Sequence, residues 1–95
     1  MKLRKTAHES ALQLRQYGDA LAAFEKAAVA DPASAAAYRG IGATCMGQYI
    51  LDRTKVELRD KALDAWNRSL ELQSDQKDLL RLVEKYRPKT AAPAL

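Results

Sequence analysis

Cys45 and His8 are the only cysteine and the only histidine in the 95-residue chain, so a thiol nucleophile with an imidazole base would have to use this one pair. Cys45 falls at helical spacing among Tyr38, Ile41, Gly42 and Tyr49, which makes it a buried small hydrophobe. His8 sits where a small packing residue belongs and reads as a structural or partly exposed side chain rather than a base. A zinc site would need His8 plus carboxylates alone, and no metal-ligand spacing or glycine-rich phosphate loop occurs, so no metal or cofactor is expected. The carboxylates are spread along helix surfaces, with Asp64 four residues before Arg68 and Glu57 four before Lys61, a spacing that suits solvated pairing. The expectation is a protein that is not an enzyme.

A second candidate for chemistry is the basic run Lys77, Arg81, Lys85 and Lys89, joined by Arg87, which could track phosphates. Asp75, Asp78 and Glu84 dilute it, no aromatic residue is interleaved for base stacking, and cations near a helix C-terminus are favoured by the backbone dipole alone. Nucleic-acid binding is therefore the least favoured reading. The net charge of +4, from 16 basic and 12 acidic residues, biases encounters toward acidic partners without requiring nucleic acid.

The elements that carry these residues are helical. An apolar fraction of 47% rich in alanine, with few aromatics and little glycine or proline, predicts an all-α domain of closely packed helices. Leu3, Ala7, Ala11 and Leu14 predict a first helix ending near Tyr17-Gly18, and the strong helix formers at 20–30 predict a second that stops at Asp31-Pro32. Ser34 is the N-cap of a third helix running to about Leu51. Thr54 and Glu57 have capping-box spacing for a fourth, whose inner face is Leu58, Ala62, Ala65, Trp66, Ser69 and Leu70. Ser74 or Asp75 caps a fifth, with the stripe Leu79, Leu82, Val83 and Tyr86, and Pro88 closes it.

The chain also repeats itself. Arg4, Ala7, His8 and Ala11 recur 34 residues later as Tyr38, Ile41, Gly42 and Cys45, while Ala20, Phe24 and Ala27 recur 42 residues later as Ala62, Trp66 and Ser69. The eight extra residues of the second unit fit added helical turns better than a loop. Tyr17-Gly18-Asp19-Ala20 followed by Phe24, Ala27 and Asp31-Pro32 resembles the second half of a tetratricopeptide repeat. That resemblance covers roughly residues 1–74, with Arg4, His8 and Ser74 departing from the family pattern. It implies a right-handed superhelix of antiparallel helix pairs, an α-α solenoid of about five helices. Repeat one would cover about 1–33, repeat two 34–74 and a capping helix 75–87, leaving a flexible tail at 89–95 after a single domain at 1–88.

In that architecture the first helix of each pair lines a concave groove, so Lys2, Lys5, Glu9, Leu12, Gln13, Arg39, Ala43 and Met46 become candidate peptide-binding residues. Lys5 and Arg39 would hold carboxylates, while Leu12 and Met46 supply adaptable apolar contact. Glu9 and Gly40 do not provide the asparagines of the family's carboxylate clamp, so recognition of chaperone tails is not implied. The expected function is a protein-protein interaction module acting as adaptor or scaffold. Self-assembly as a homo-oligomer through Tyr49, Ile50 and Leu51 is the alternative, because repeat arrays usually need about three units to bury enough surface. A single cysteine fits reducing, cytoplasmic conditions, and no run is long enough for membrane insertion.

Overall fold

A computed structural model of the protein describes residues 7–88, with side-chain environments from residue 12 onward. The described residues form four helices and no strand: α1 (Ala7–Ala30), α2 (Ala35–Leu51), α3 (Val56–Leu72) and α4 (Lys77–Tyr86). The expected flexible tail at 89–95 and the first six residues lie outside this range.

The all-α expectation holds, but there are four helices rather than five, because α1 runs unbroken through Tyr17-Gly18-Asp19. Gly18 has the residue type of a helix stop, yet no glycine here has a positive φ and a Cβ at Gly18 would meet nothing within 4 Å. Nothing packs there to bend the chain. The cost of a mid-helix glycine, about 1 kcal/mol relative to alanine, is offset by the alanine-rich formers that follow it. The expected first hairpin is consequently absent.

The other boundaries follow the local signals. α1 ends before Asp31-Pro32, and Asp31 N–H still donates to Ala27 O at 2.9 Å. Ser34 caps α2, its Oγ accepting from Ala37 N–H at 3.1 Å. The capping box at Thr54 does not form. Instead Thr54 turns back, donating through N–H (3.1 Å) and Oγ1 (2.6 Å) to Asp52 Oδ1, and α3 starts one residue after Lys55 without a side-chain cap. Neither Ser74 nor Asp75 caps α4; Gln76 holds the N-cap position. Only residues 52–55 separate α2 from α3, so the extra length of the second unit resides in the helices.

The core lies around α2. Ile41, Cys45, Met46 and Tyr49 from α2 meet Ala62, Leu63, Ala65 and Trp66 from α3, while Leu79 and Val83 of α4 close the far side. Three glycines let neighbouring helices approach α2. Phe24 of α1 lies over Gly40, Tyr17 of α1 over Gly47, and Trp66 of α3 over Gly42, each ring occupying the space a Cβ would need. The Phe24–Gly40 and Tyr17–Gly47 contacts run in opposite directions along the two helices, which makes α1 and α2 antiparallel. With 24 residues against 17, α1 is about 10 Å longer than α2 at ~1.5 Å per residue. Its N-terminal part therefore projects past the end of α2. The radius of gyration, 14.8 Å, exceeds the roughly 12 Å of a compact chain of this length, in keeping with that overhang.

The glycine contacts and Gly18 make opposite forecasts. Gly42→Ala puts a methyl into the Trp66 ring and should lower unfolding free energy by about 1–3 kcal/mol. Gly18→Ala meets no neighbour and should raise it by up to ~1 kcal/mol. Urea unfolding followed by circular dichroism measures both, and equal destabilisation by the two would contradict this packing.

Candidate functional site

The residues expected to bind a peptide fall into three environments. Lys2 and Lys5 lie outside the described range, as does the side chain of Glu9. Leu12 is exposed, and Gln13 is half-buried on α1, its amide donating to Tyr17 Oη at 3.5 Å. On α2, Ala43 is exposed, whereas Met46 is only 3% exposed and belongs to the core. Met46 therefore cannot offer the adaptable surface contact expected of it. Sequence periodicity placed it beside Ala43, but α1 and α3 cover α2 from two sides and leave only a narrow strip open.

That strip is formed by Ala36, Ala43 and Ile50, exposed at seven-residue intervals along α2. Seven residues are two helical turns, so the three side chains line one face. Two alanines allow a partner's backbone to come close, and Ile50, 45% exposed, provides apolar bulk at one end. Its neighbours in the proposed self-association patch do not join it, since Tyr49 is buried and Leu51 is half-buried. Tyr49 lies beneath the guanidinium groups of Arg53 and Arg59, at 5.5 and 5.9 Å from its ring centroid, a cation–π arrangement internal to the chain.

Arg39 is held by an interaction that sequence spacing does not disclose. Its guanidinium makes a two-point contact with Asp78 at the start of α4 and donates through Nη1 to Gln76 Oε1 at 2.9 Å. Gln76, 8% exposed, turns its amide nitrogen the other way and donates to Ser69 Oγ (3.0 Å), Ser69 O (3.2 Å) and Gln73 O (2.8 Å). Ser69, fully buried, donates to Ala35 O at 2.8 Å at the start of α2. Trp66 Nε1 completes the cluster by donating to Arg39 O at 3.3 Å. This continuous polar chain joins α2, α3 and α4. The hydrogen bonds from Arg39 hold the Asp78 carboxyl below its ordinary value, and Asp52 is lowered in the same direction by its bonds from Thr54.

The remaining candidates for chemistry have structural partners. Cys45 is fully buried, and desolvation pushes its thiol above the ordinary value, so the protonated form prevails. Lys61 and Arg68 do not take the intrahelical carboxylates suggested by spacing. Lys61 reaches Glu25 on α1 at 3.0 Å, and Arg68 pairs with Glu71 at 3.2 Å and lies over the Tyr38 ring. In the basic run, Arg87 pairs with Glu84 at 2.6 Å and Lys85 lies over Tyr86, while Lys89 is outside the described residues. A cleft of about 310 Å³ between α3 and α4 is floored by Leu63, Val83 and Pro88 and rimmed by Asp60, Asp64, Asn67 and Arg87. No cluster of three or more potential metal ligands occurs among the described residues.

Compared with known proteins, the chain matches no family model, no curated protein and no solved structure.

The Arg39–Asp78 contact gives a pH test. Because the Asp78 and Asp52 carboxyls are lowered in the folded state, their contributions are complete above the unfolded carboxylate value, about 3.9, and disappear as pH falls through the lower folded values. Asp78→Asn should reduce the thermal midpoint at neutral pH and flatten its decline in acid, with the Asp52 part of the decline remaining. Thermal melts from about pH 7 to about pH 3 would show this; a decline as steep as that of the unmodified chain would exclude a role for Asp78.

Proposed function

We propose that the protein is a tetratricopeptide-like, solenoid-type interaction module that receives an extended peptide or partner segment along the outer face of α2. The observation that supports this reading most directly is the contrast on α2 itself. Its flanks are closed by rings packed onto glycines, while Ala36, Ala43 and Ile50 form an open apolar strip beside Arg39. A helix that buries two sides and leaves small residues on a third suits the close approach of another backbone. The antiparallel α2–α3 pair, with Gly42 under Trp66 and Ser69 bonded to Ala35, has the small-and-aromatic pairing that the sequence resemblance implies.

The chemistry of the partner follows from the strip and its rim. Small apolar side chains would sit along Ala36 and Ala43, with a larger one against Ile50. A partner carboxylate at the Arg39 guanidinium would compete with Asp78, whose side chain is 67% exposed and so open to exchange. Acidic partners are therefore recognised through competition with an internal carboxylate rather than through a free cation. Among the described residues no helix is long and apolar enough to cross a membrane.

A displayed library of random peptides selected on the full chain supplies the test. For the selected peptides, Ala36→Glu combined with Ala43→Glu should weaken binding at least tenfold, about 1.4 kcal/mol, while unfolding free energy stays within ~0.5 kcal/mol. Undiminished binding by the double variant would exclude the α2 strip as the site.

A further inference from the structure

Sequence spacing pairs Asp64 with Arg68, but α3 directs its cations elsewhere. Arg59 bonds Asp60 through Oδ1 alone, at 3.1 and 3.2 Å, and lies over the Tyr49 ring. Lys61 reaches Glu25 on α1, and Arg68 pairs with Glu71 and lies over Tyr38. Asp64 is left exposed, with no hydrogen bond or ion pair among the described residues. The same holds for the side-chain amide of Asn67 and for the second oxygen of Asp60.

These unused acceptors share one edge. Asp60, Asp64 and Asn67 follow at intervals of four and three residues, so they line a single face of α3 over roughly 10 Å. They rim the cleft of about 310 Å³ whose floor is Leu63, Val83 and Pro88. That volume is at the small end of the range of ligand sites, roughly 300–1,000 Å³, and suits one long side chain rather than a helix. On the opposite side Arg87 is bonded to Glu84 at 2.6 Å, a pair without net charge, so the unpaired Asp64 sets the local sign. The cleft is therefore acidic on a chain whose net charge is +4.

We infer that the cleft between α3 and α4 takes an arginine side chain from a partner segment. The stem of an arginine is apolar and long enough to lie over Leu63 and Val83 while its head stays at the wet rim. The planar guanidinium presents paired N–H donors to Asp64 and further donors to Asn67 Oδ1 and Asp60 Oδ2, the acceptors that the chain itself leaves unused. A lysine ammonium is a point charge without that fork and serves a row of acceptors less well. The apolar floor attracts the stem whatever its charge, and the rim selects for the cation. The site lies on α3 and α4 and does not rest on the α2 strip: a basic segment is received here, an apolar or acidic one there.

The test is a heteronuclear NMR titration of the full chain with an end-blocked peptide carrying one arginine between two leucines. The Asn67 side-chain amide and the backbone amides of Leu63 and Val83 should shift saturably. The matching citrulline peptide, which keeps the shape and loses the charge, should bind about tenfold more weakly. Asp64→Asn, an exposed substitution, should weaken the arginine peptide about threefold, and Asp60→Asn combined with Asp64→Asn about tenfold. Ala36→Glu combined with Ala43→Glu should leave the titration unchanged, which separates this site from the strip. Equal binding of the arginine and citrulline peptides overturns the inference, as does full affinity in the double asparagine variant. The absence of any shift at these residues up to about 5 mM peptide overturns it as well. Lys89→Ala should change nothing; a several-fold gain in affinity would make the chain's own Lys89 the occupant and exclude a partner arginine.

Discussion

The packing of aromatic rings onto the glycines of α2 is the contact on which the rest of this structure depends. Gly40, Gly42 and Gly47 turn to different neighbours, so that Phe24 and Tyr17 bring α1 to one side and Trp66 brings α3 to the other. The rings do more than fill space. Trp66 also uses its indole N–H to satisfy the carbonyl of Arg39 and lies 6.4 Å from Tyr86, which links the central contact to α4. Three glycines within one helix lower its intrinsic stability by about 3 kcal/mol relative to alanine. α2 is therefore a helix made by its neighbours, and its docking is inseparable from its formation.

Apolar packing supplies the attachment between the helices, while the polar chain from Ala35 through Ser69, Gln76 and Arg39 to Asp78 supplies register. Each buried member has a partner, so the desolvation of Ser69 and Gln76 is compensated. An apolar contact tolerates sliding by part of a turn, but this chain of directional bonds does not. It fixes the start of α4 against both α2 and α3. The same bonds explain why the cation with the most evident binding role in the sequence, Arg39, is already engaged.

Much of the fold was legible because its signals are local. Asp31-Pro32 and Ser34 mark a helix end and a helix start through backbone chemistry confined to four residues, and the stripes at Ala62, Trp66 and Ser69 or at Leu79 and Val83 report burial by periodicity alone. The signals that misled were also local but were outcompeted. Gly18 punctuates a chain only when something rewards the turn, and no such contact exists. Thr54 has capping-box spacing, yet Asp52 is a nearer acceptor. The candidate site was less legible than the fold. Met46, Tyr49 and Arg39 differ from exposed residues only through which helices lie over them, and Glu25–Lys61 and Arg39–Asp78 join residues more than thirty positions apart.

The tether at Gln76 has a dynamic consequence. α4 has ten residues; Leu79 and Val83 are buried and Leu82 and Tyr86 pack against the core, while its polar attachment sits at the N-terminal end alone. Local opening of such an element is expected to begin at the C-terminal turn, where Arg87 pairs with Glu84 one turn back and Tyr86 against Trp66 is the last core contact, and to proceed toward the anchored N-terminus. Opening in that order exposes Val83 and the apolar floor between α3 and α4 while Arg39 is still held by Asp78. The cleft and the α2 strip are thereby placed on opposite sides of one cooperative boundary, and the cleft can breathe without the strip losing its rim.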